Sequence, residues 1–366
     1  MSYDIYKLGY TDEIITKFNN VYGIARYKKE TLEKKIVEIT NVLLKWNFNY
    51  DDSLKIILSA PKLLGLEPKT IQDKLESFIK MGYTKKDITN MVKIHPLILA
   101  LSIQNIKTVI DELLYLGFSK SNILKITRSA PNIFGFTTDA LKNKFNYIVN
   151  LGYTKDETIK IYKEEPRLFT KSEAKTDETL VYFISLGYSE EIIKKMIIKA
   201  PNILCISLNL IFQKIEALIK LGFSKNDVIN MTSIIPQIFG YNIESMNKRF
   251  NTLINLGYTR EEVISIIKQY PAILGANIFS ITEKINYYKK LKLEKIFIND
   301  AKQLMQGLDL THARLCFYES LGIKINIDNY KLLFISQDLF VIRYKITNKE
   351  LKELYKYNKN SEENKK

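Results

Sequence analysis

Cysteine, histidine and arginine are all scarce in this chain, and each scarcity excludes a class of chemistry. Two cysteines, Cys205 and Cys316, cannot build a disulfide framework, so a reducing compartment is expected. The two histidines, His95 and His312, are read as lying outside any metal-ligand spacing with either cysteine. No metal site, cofactor or catalytic residue is therefore assigned, and the chain is not expected to be an enzyme. Long apolar runs are missing too: the richest, Ile197 to Phe212, is broken by Lys199 and Pro201, against the ~18 residues a membrane span needs. The opening residues, MSYDIYKLGYTDEI, carry acids and no Arg-rich leader. A bacterial-type cytoplasmic location is expected, or a mitochondrion or other organelle if a transit peptide was removed. Only seven of the 55 basic residues are Arg, the usual bidentate reader of guanine, so base-specific recognition is not expected.

What is present is regular. Seven of the eight prolines fall at a constant interval of 35 residues: Pro61, Pro96, Pro131, Pro166, Pro201, Pro236 and Pro271. Such a period marks a tandem array. Beside it runs a glycine ladder with the same step, Gly82, Gly117, Gly152, Gly187, Gly222 and Gly257, with Asn47 one step upstream. Gly and Asn tolerate the left-handed conformation that closes a helix. An aromatic follows each, then a Ser, Thr or Asn cap, and three residues later a capping-box acid in Asp52, Asp87, Glu157, Asp227 and Glu262. Asn122 and Ile192 depart from that acid. Each unit thus ends one helix at Gly and begins the next two residues later. That first helix stops before its proline, because the residue preceding Pro is pushed out of helical geometry. A short apolar turn such as Pro131 to Gly135 follows, then a second helix with apolar positions at helical spacing, as in Ile71, Leu75, Phe78 and Ile79.

The period also explains away apparent chemistry. Cys205 shares a small-residue column with Gly65, Ala100 and Gly135, and His95 stands where Ala60, Ala130 and Ala200 stand, so both read as packing residues. The aromatic column, for example Tyr83 ahead of Ile88, reads as a hydrophobic staple rather than a base-stacking platform. The functional signal lies in charge. The net charge is +15, which suits a polyanionic partner. One column of the second helix reads Lys74, Val109, Lys144, Thr179, Lys214, Arg249, Lys284. Its helical angle places it beside the apolar arc, so the stem is expected to pack while the charge reaches outward to a phosphate. A first-helix column contains Lys93, Arg128, Lys163 and Lys268, and another holds Lys55, Lys125, Lys160 and Lys195. Lys74, Lys144, Lys214, Arg249 and Lys284 are the leading nucleic-acid-binding candidates, with Lys93, Arg128, Lys163, Arg167 and Lys268 behind them.

The Leu-Gly-[Tyr/Phe]-[Ser/Thr] step, the Pro-x-[Ile/Leu]-[Leu/Phe] turn and the second helix together resemble the mitochondrial transcription termination factor (mTERF) family. Ala313 to Gly322 is similar to that family's closing segment. The resemblance implies an all-α, helical-repeat solenoid of 35-residue units, right- or left-handed, each with two α-helices and a short 3₁₀ turn. It also implies a basic concave groove for double-stranded nucleic acid, serving transcription or ribosome assembly. The expected division is a degenerate N-terminal capping repeat over 1–46, built on Gly9 and with Gly23 in the proline slot, then seven tandem repeats over 47–291. A C-terminal helical cap over 292–345 and a charged, frayed tail over 346–366 complete it. A monomer without membrane contact is expected, gripping double-stranded DNA by its phosphates to regulate or terminate transcription. Structured RNA, and a scaffold for a partner protein, are the alternatives.

Overall fold

The computed structural model describes residues 10–19 and 27–356; over these it consists of α-helices, 3₁₀ helices and connecting turns, with no strand. Gly9 and Gly23 lie outside the described residues. The chain divides into two compact units, one of Met1–Leu186 with Ile197–Cys205, the other of Gly187–Met196 with Ile206–Lys366. The division falls within the fifth repeat.

In the first unit the helices Asp12–Asn19 and Lys29–Lys45 precede the first repeat. Each repeat then places a ten-residue helix, a 3₁₀ turn that begins at the periodic proline, and a longer helix, as in Lys85–Ile94, Pro96–Leu99 and Ile103–Tyr115. The local chemistry is the one the period dictates. Thr84 accepts from the Asp87 amide and Asp87 accepts from the Thr84 amide, closing a capping box, and Asn49 with Asp52 and Thr154 with Glu157 do the same. At Ser119, where the third residue is Asn122, the serine cap forms without the reciprocal bond. The glycine ladder sits at positive φ, for example +100° at Gly82, which L side chains rarely adopt, and Asn47 takes φ 65° at the same step. Burial then fuses neighbouring repeats: Tyr83, Phe118 and Tyr153 are buried, and the Tyr83 hydroxyl lies 2.6 Å from Thr127 Oγ1 in the following repeat. The aromatic column is therefore core.

The second unit repeats the plan in Lys225–Ile234, Pro236–Gly240 and Ile243–Asn255, and in Arg260–Gln269, Pro271–Gly275 and Ile278–Lys290. Capping boxes form at Ser224 with Asp227 and at Thr259 with Glu262. Beyond Leu291 the pattern shortens: Lys292 takes the glycine's place at φ 56°, and two 3₁₀ turns, Glu294–Ile298 and Ala301–Met305, lead to the helix Leu308–Ser320. The segment expected to fray starts with an ordered helix, Asn348–Leu354, capped by Thr347 and Glu350. Leu351 buries itself as this helix packs on Leu308–Ser320, and Lys352 reaches Asp309 at 2.8 Å. One buried leucine docks this short, otherwise polar helix.

Candidate nucleic-acid interface

The leading column of cations turns toward backbone carbonyls, and three of its five members are enclosed. Lys74, Lys214 and Lys284 are 4%, 3% and 8% exposed. The Lys74 ammonium donates to Leu99 O at 2.8 Å and to Leu101 O; Lys144 donates to Lys171 O at 2.6 Å, and Lys214 to Tyr241 O. Arg249 Nε donates to Ala276 O at 2.5 Å and Lys284 to Leu304 O at 2.7 Å. Four of these bonds span the same 27 residues, from a second helix to the end of the next repeat's 3₁₀ turn. Carbonyls at a helix end have no intrahelical partner, and a cation supplies the strong, charge-assisted donor they need. Burial holds the amines of Lys74, Lys214 and Lys284 below the usual lysine range. These bonds staple repeats together; Lys74, Lys214 and Lys284 leave no free head group for a phosphate, while Lys144, which also meets Glu173 at 3.5 Å, and Arg249 are half-buried.

The same device continues where the period is broken, which is why the sequence hides it. Lys35 donates to Leu66 O at 3.3 Å ahead of the first repeat. In the C-terminal cap the guanidinium of Arg314, 1% exposed, donates to Leu333 O at 2.9 Å and Ile335 O at 2.7 Å. Insertion before Lys74 and shortening after Lys284 take both residues off the 35-residue grid. Val109 and Thr179 are the two members of the column that carry no cation.

The secondary candidates keep exposed or half-exposed head groups. Lys93 pairs with Asp52 at 2.7 Å, Arg128 with Asp87 at 3.0 Å and Lys268 with Asp227 at 2.6 Å. In each case the acid is the capping-box residue of the preceding repeat. The hydrogen bond from Lys93 holds Asp52 below the usual carboxylate range; burial alone would raise Asp87, but bonds from Thr84 and Arg128 outweigh it. At the position corresponding to those acids Lys163 has Asn122, and its carboxylate contact is a long one, 3.9 Å to Glu164. Lys295 extends the series with a pair to Glu262 at 2.8 Å. Arg167 grips buried Glu165 through two 2.7 Å bonds while remaining exposed, and this pairing raises the guanidinium above its ordinary range. In the third column Lys125 meets Glu164 at 3.1 Å and Lys195 meets Glu191 at 2.6 Å.

A further row of cations shares the first turn with the caps, whose pattern hides it in the sequence. Lys85, Lys120 and Lys155 in the first unit, and Lys225 and Arg260 in the second, occupy the first position of their helices and are exposed. A cation there opposes its own helix dipole. Lys85 lies 5.4 Å over the Trp46 ring, and Arg260 donates to Lys220 O at 3.0 Å.

Neither cysteine is poised as a nucleophile, since burial raises both thiols, Cys205 to about 11. His312, contrary to the expectation from spacing, lies one helical turn from Cys316, with Nε2 3.5 Å from the sulfur and Nδ1 3.0 Å from the Tyr287 hydroxyl. Among the described residues no group of three or more His, Cys, Asp or Glu could hold a metal, and no helix is long and apolar enough to cross a membrane. The model of the mTERF family matches residues 13–151, 104–220, 148–255 and 211–296, overlapping copies that cover most of the chain. The chain matches no curated protein.

Proposed function

The chain belongs to the mTERF family, a nucleic-acid-binding helical-repeat fold, and on that footing we propose that it grips double-stranded DNA through its phosphates, as a monomer and without an enzymatic step, to regulate or terminate transcription. The observation that carries this reading is the recurrence, in five of the seven repeats, of exposed or half-exposed cations on the first helices. They are Lys93, Arg128, Lys163 and Lys268 near one end and Lys85, Lys155 and Lys225 at the other. Phosphate contacts position a protein without reading bases, which fits a surface of lysines. Exposed ion pairs are weak, so a phosphate can take over the Lys93, Arg128 and Lys268 head groups from their carboxylates. Lys163 has no capping-box acid to leave and contributes most.

The test is a titration of the full chain against labelled duplex DNA and duplex RNA over a range of salt concentrations. Four or five neutralised phosphates give a log–log slope of about −4. Lys163→Glu flattens that slope by about 1, whereas Lys74→Met leaves it unchanged. A flat salt response removes the proposal, and equal or tighter binding of duplex RNA replaces DNA with structured RNA.

A further inference from the structure

Where the helix Pro68–Lys80 ends at Gly82, a cleft of about 490 Å³ opens between that helix, the helix Ile103–Tyr115 and the start of Lys120–Ser129. Its floor is apolar: Met81, Ile110, Leu114 and Leu124 line it, and Leu114, 38% exposed, belongs to a column that is apolar in other repeats as well, as at Ile79 and Ile219. Its rim is cationic, with exposed Lys80, Lys107 and Lys120 facing a single carboxylate, Asp111.

Two equivalent corners carry a different rim. One repeat on, Lys142, which corresponds to Lys107, folds back to Glu112 at 3.5 Å and over the Tyr115 ring at 5.8 Å. There a Cβ on Gly117 would stand 3.2 Å from Ile159, against 3.8 Å from Leu124 at Gly82. In the second unit Arg260 donates to Lys220 O and lies 5.5 Å over the Phe250 ring. A Cβ on Gly222 would meet Ile264 at 2.9 Å. A groove does open at that corner, on Lys220 and Leu221, the counterparts of Lys80 and Met81, but Asn247 and Asn251 stand where Lys107 and Asp111 stand in the first unit, with Gln213 and Glu216 beside them. Among these three, the Gly82 corner is the one whose cleft sets three lysines against one carboxylate.

We propose that this cleft docks an acidic amphipathic segment of a partner protein. A large apolar side chain enters between the two second helices against Leu114 and Met81, and flanking carboxylates meet Lys80, Lys107 and Lys120. The apolar floor selects a peptide over a phosphate backbone, which has nothing to place on leucine and methionine; the basic rim selects acidic flanks and raises the encounter rate.

The experiment measures fluorescence anisotropy of the full chain with a short labelled helical peptide carrying leucines on one face and glutamates on the other. A scrambled peptide of the same composition serves as control. Saturable micromolar binding of the patterned peptide alone is expected. Leu114→Gln, which changes no charge, weakens it about tenfold, the worth of one buried aliphatic side chain. Lys107→Glu weakens it at low salt and ceases to matter at high salt. Both variants keep the wild-type helical melt, since both sites are exposed. Failure to bind, equal binding of the scrambled peptide, or indifference to both variants overturns the inference. So does a loss of duplex affinity in Leu114→Gln equal to its loss of peptide affinity, which would assign the cleft to nucleic acid. Duplex binding that persists while the peptide fails leaves the proposed function standing without this one.

Discussion

Replacing Lys74 with Met isolates the inward cation. Methionine keeps the length and the apolar stem, so the change removes the ammonium and little else. Two carbonyls, Leu99 O and Leu101 O, then lose their donor. A hydrogen bond to a charged group contributes about 1.5–3 kcal/mol, and a carbonyl left buried without a partner adds a penalty of similar size. Against this stands relief from burying an amine that burial already holds below its usual range. The net expectation is about 2 kcal/mol of destabilisation, or about thirtyfold in a local opening constant. Hydrogen exchange followed by mass spectrometry reads it directly: amides of Pro68–Lys80 and Ile103–Tyr115 exchange faster, while those of Arg260–Gln269 do not change. Lys69→Met, an exposed lysine on the same helix, is the control. Unchanged exchange, or a gain of protection, would refute the staple and return Lys74 to the candidate phosphate contacts.

Two further outcomes follow from the same geometry. Gly222→Ala places a side chain at φ +103° and 2.9 Å from Ile264, and it lowers the urea midpoint by the equivalent of about 2 kcal/mol. Gly65→Ala, with nothing within 4 Å and no positive φ, leaves the midpoint unchanged or raises it. Asp52, Asp87 and Asp227 are all held below their unfolded value of 3.8. Their contribution is complete above pH 3.8 and disappears as pH falls through the lower folded values. Acid unfolding monitored by circular dichroism therefore begins at higher pH in Asp87→Asn than in the parent, and identical profiles would contradict the pairing with Arg128.

Much of the architecture was legible because backbone-limited residues announce themselves. Proline marks where a helix must stop, glycine where φ must turn positive, and Ser or Thr followed by an acid where a helix starts; each of these is local. The two absent capping boxes, at Asn122 and Ile192, were legible for the same reason. The destination of a long side chain is not local. The Lys74 column sits at the edge of the apolar arc, from which a lysine can turn either way, and the deciding carbonyls belong to the next repeat. Lys35 and Arg314 share that role but have slipped off the periodic grid. The Lys93 column is visible in the sequence but the partner of each of its cations is not, because one carboxylate can serve its own helix start and a neighbour's cation at once. Helix Asn348–Leu354 was lost among surrounding charges, since a single leucine anchors it.

The fixed span of each inward bond has a bearing on how such arrays change length. Donor and acceptor are separated by 27 residues while the units recur every 35. Excising a whole unit anywhere therefore hands each surviving lysine a fresh carbonyl at the old distance, whereas a slip of one residue strands it. Deleting residues 75–109 would even bring Lys74 to Phe136 O, the acceptor that Val109 cannot serve. Growth and loss in whole modules is thus the inexpensive edit, and the ruler that enforces it is a side chain folded out of sight.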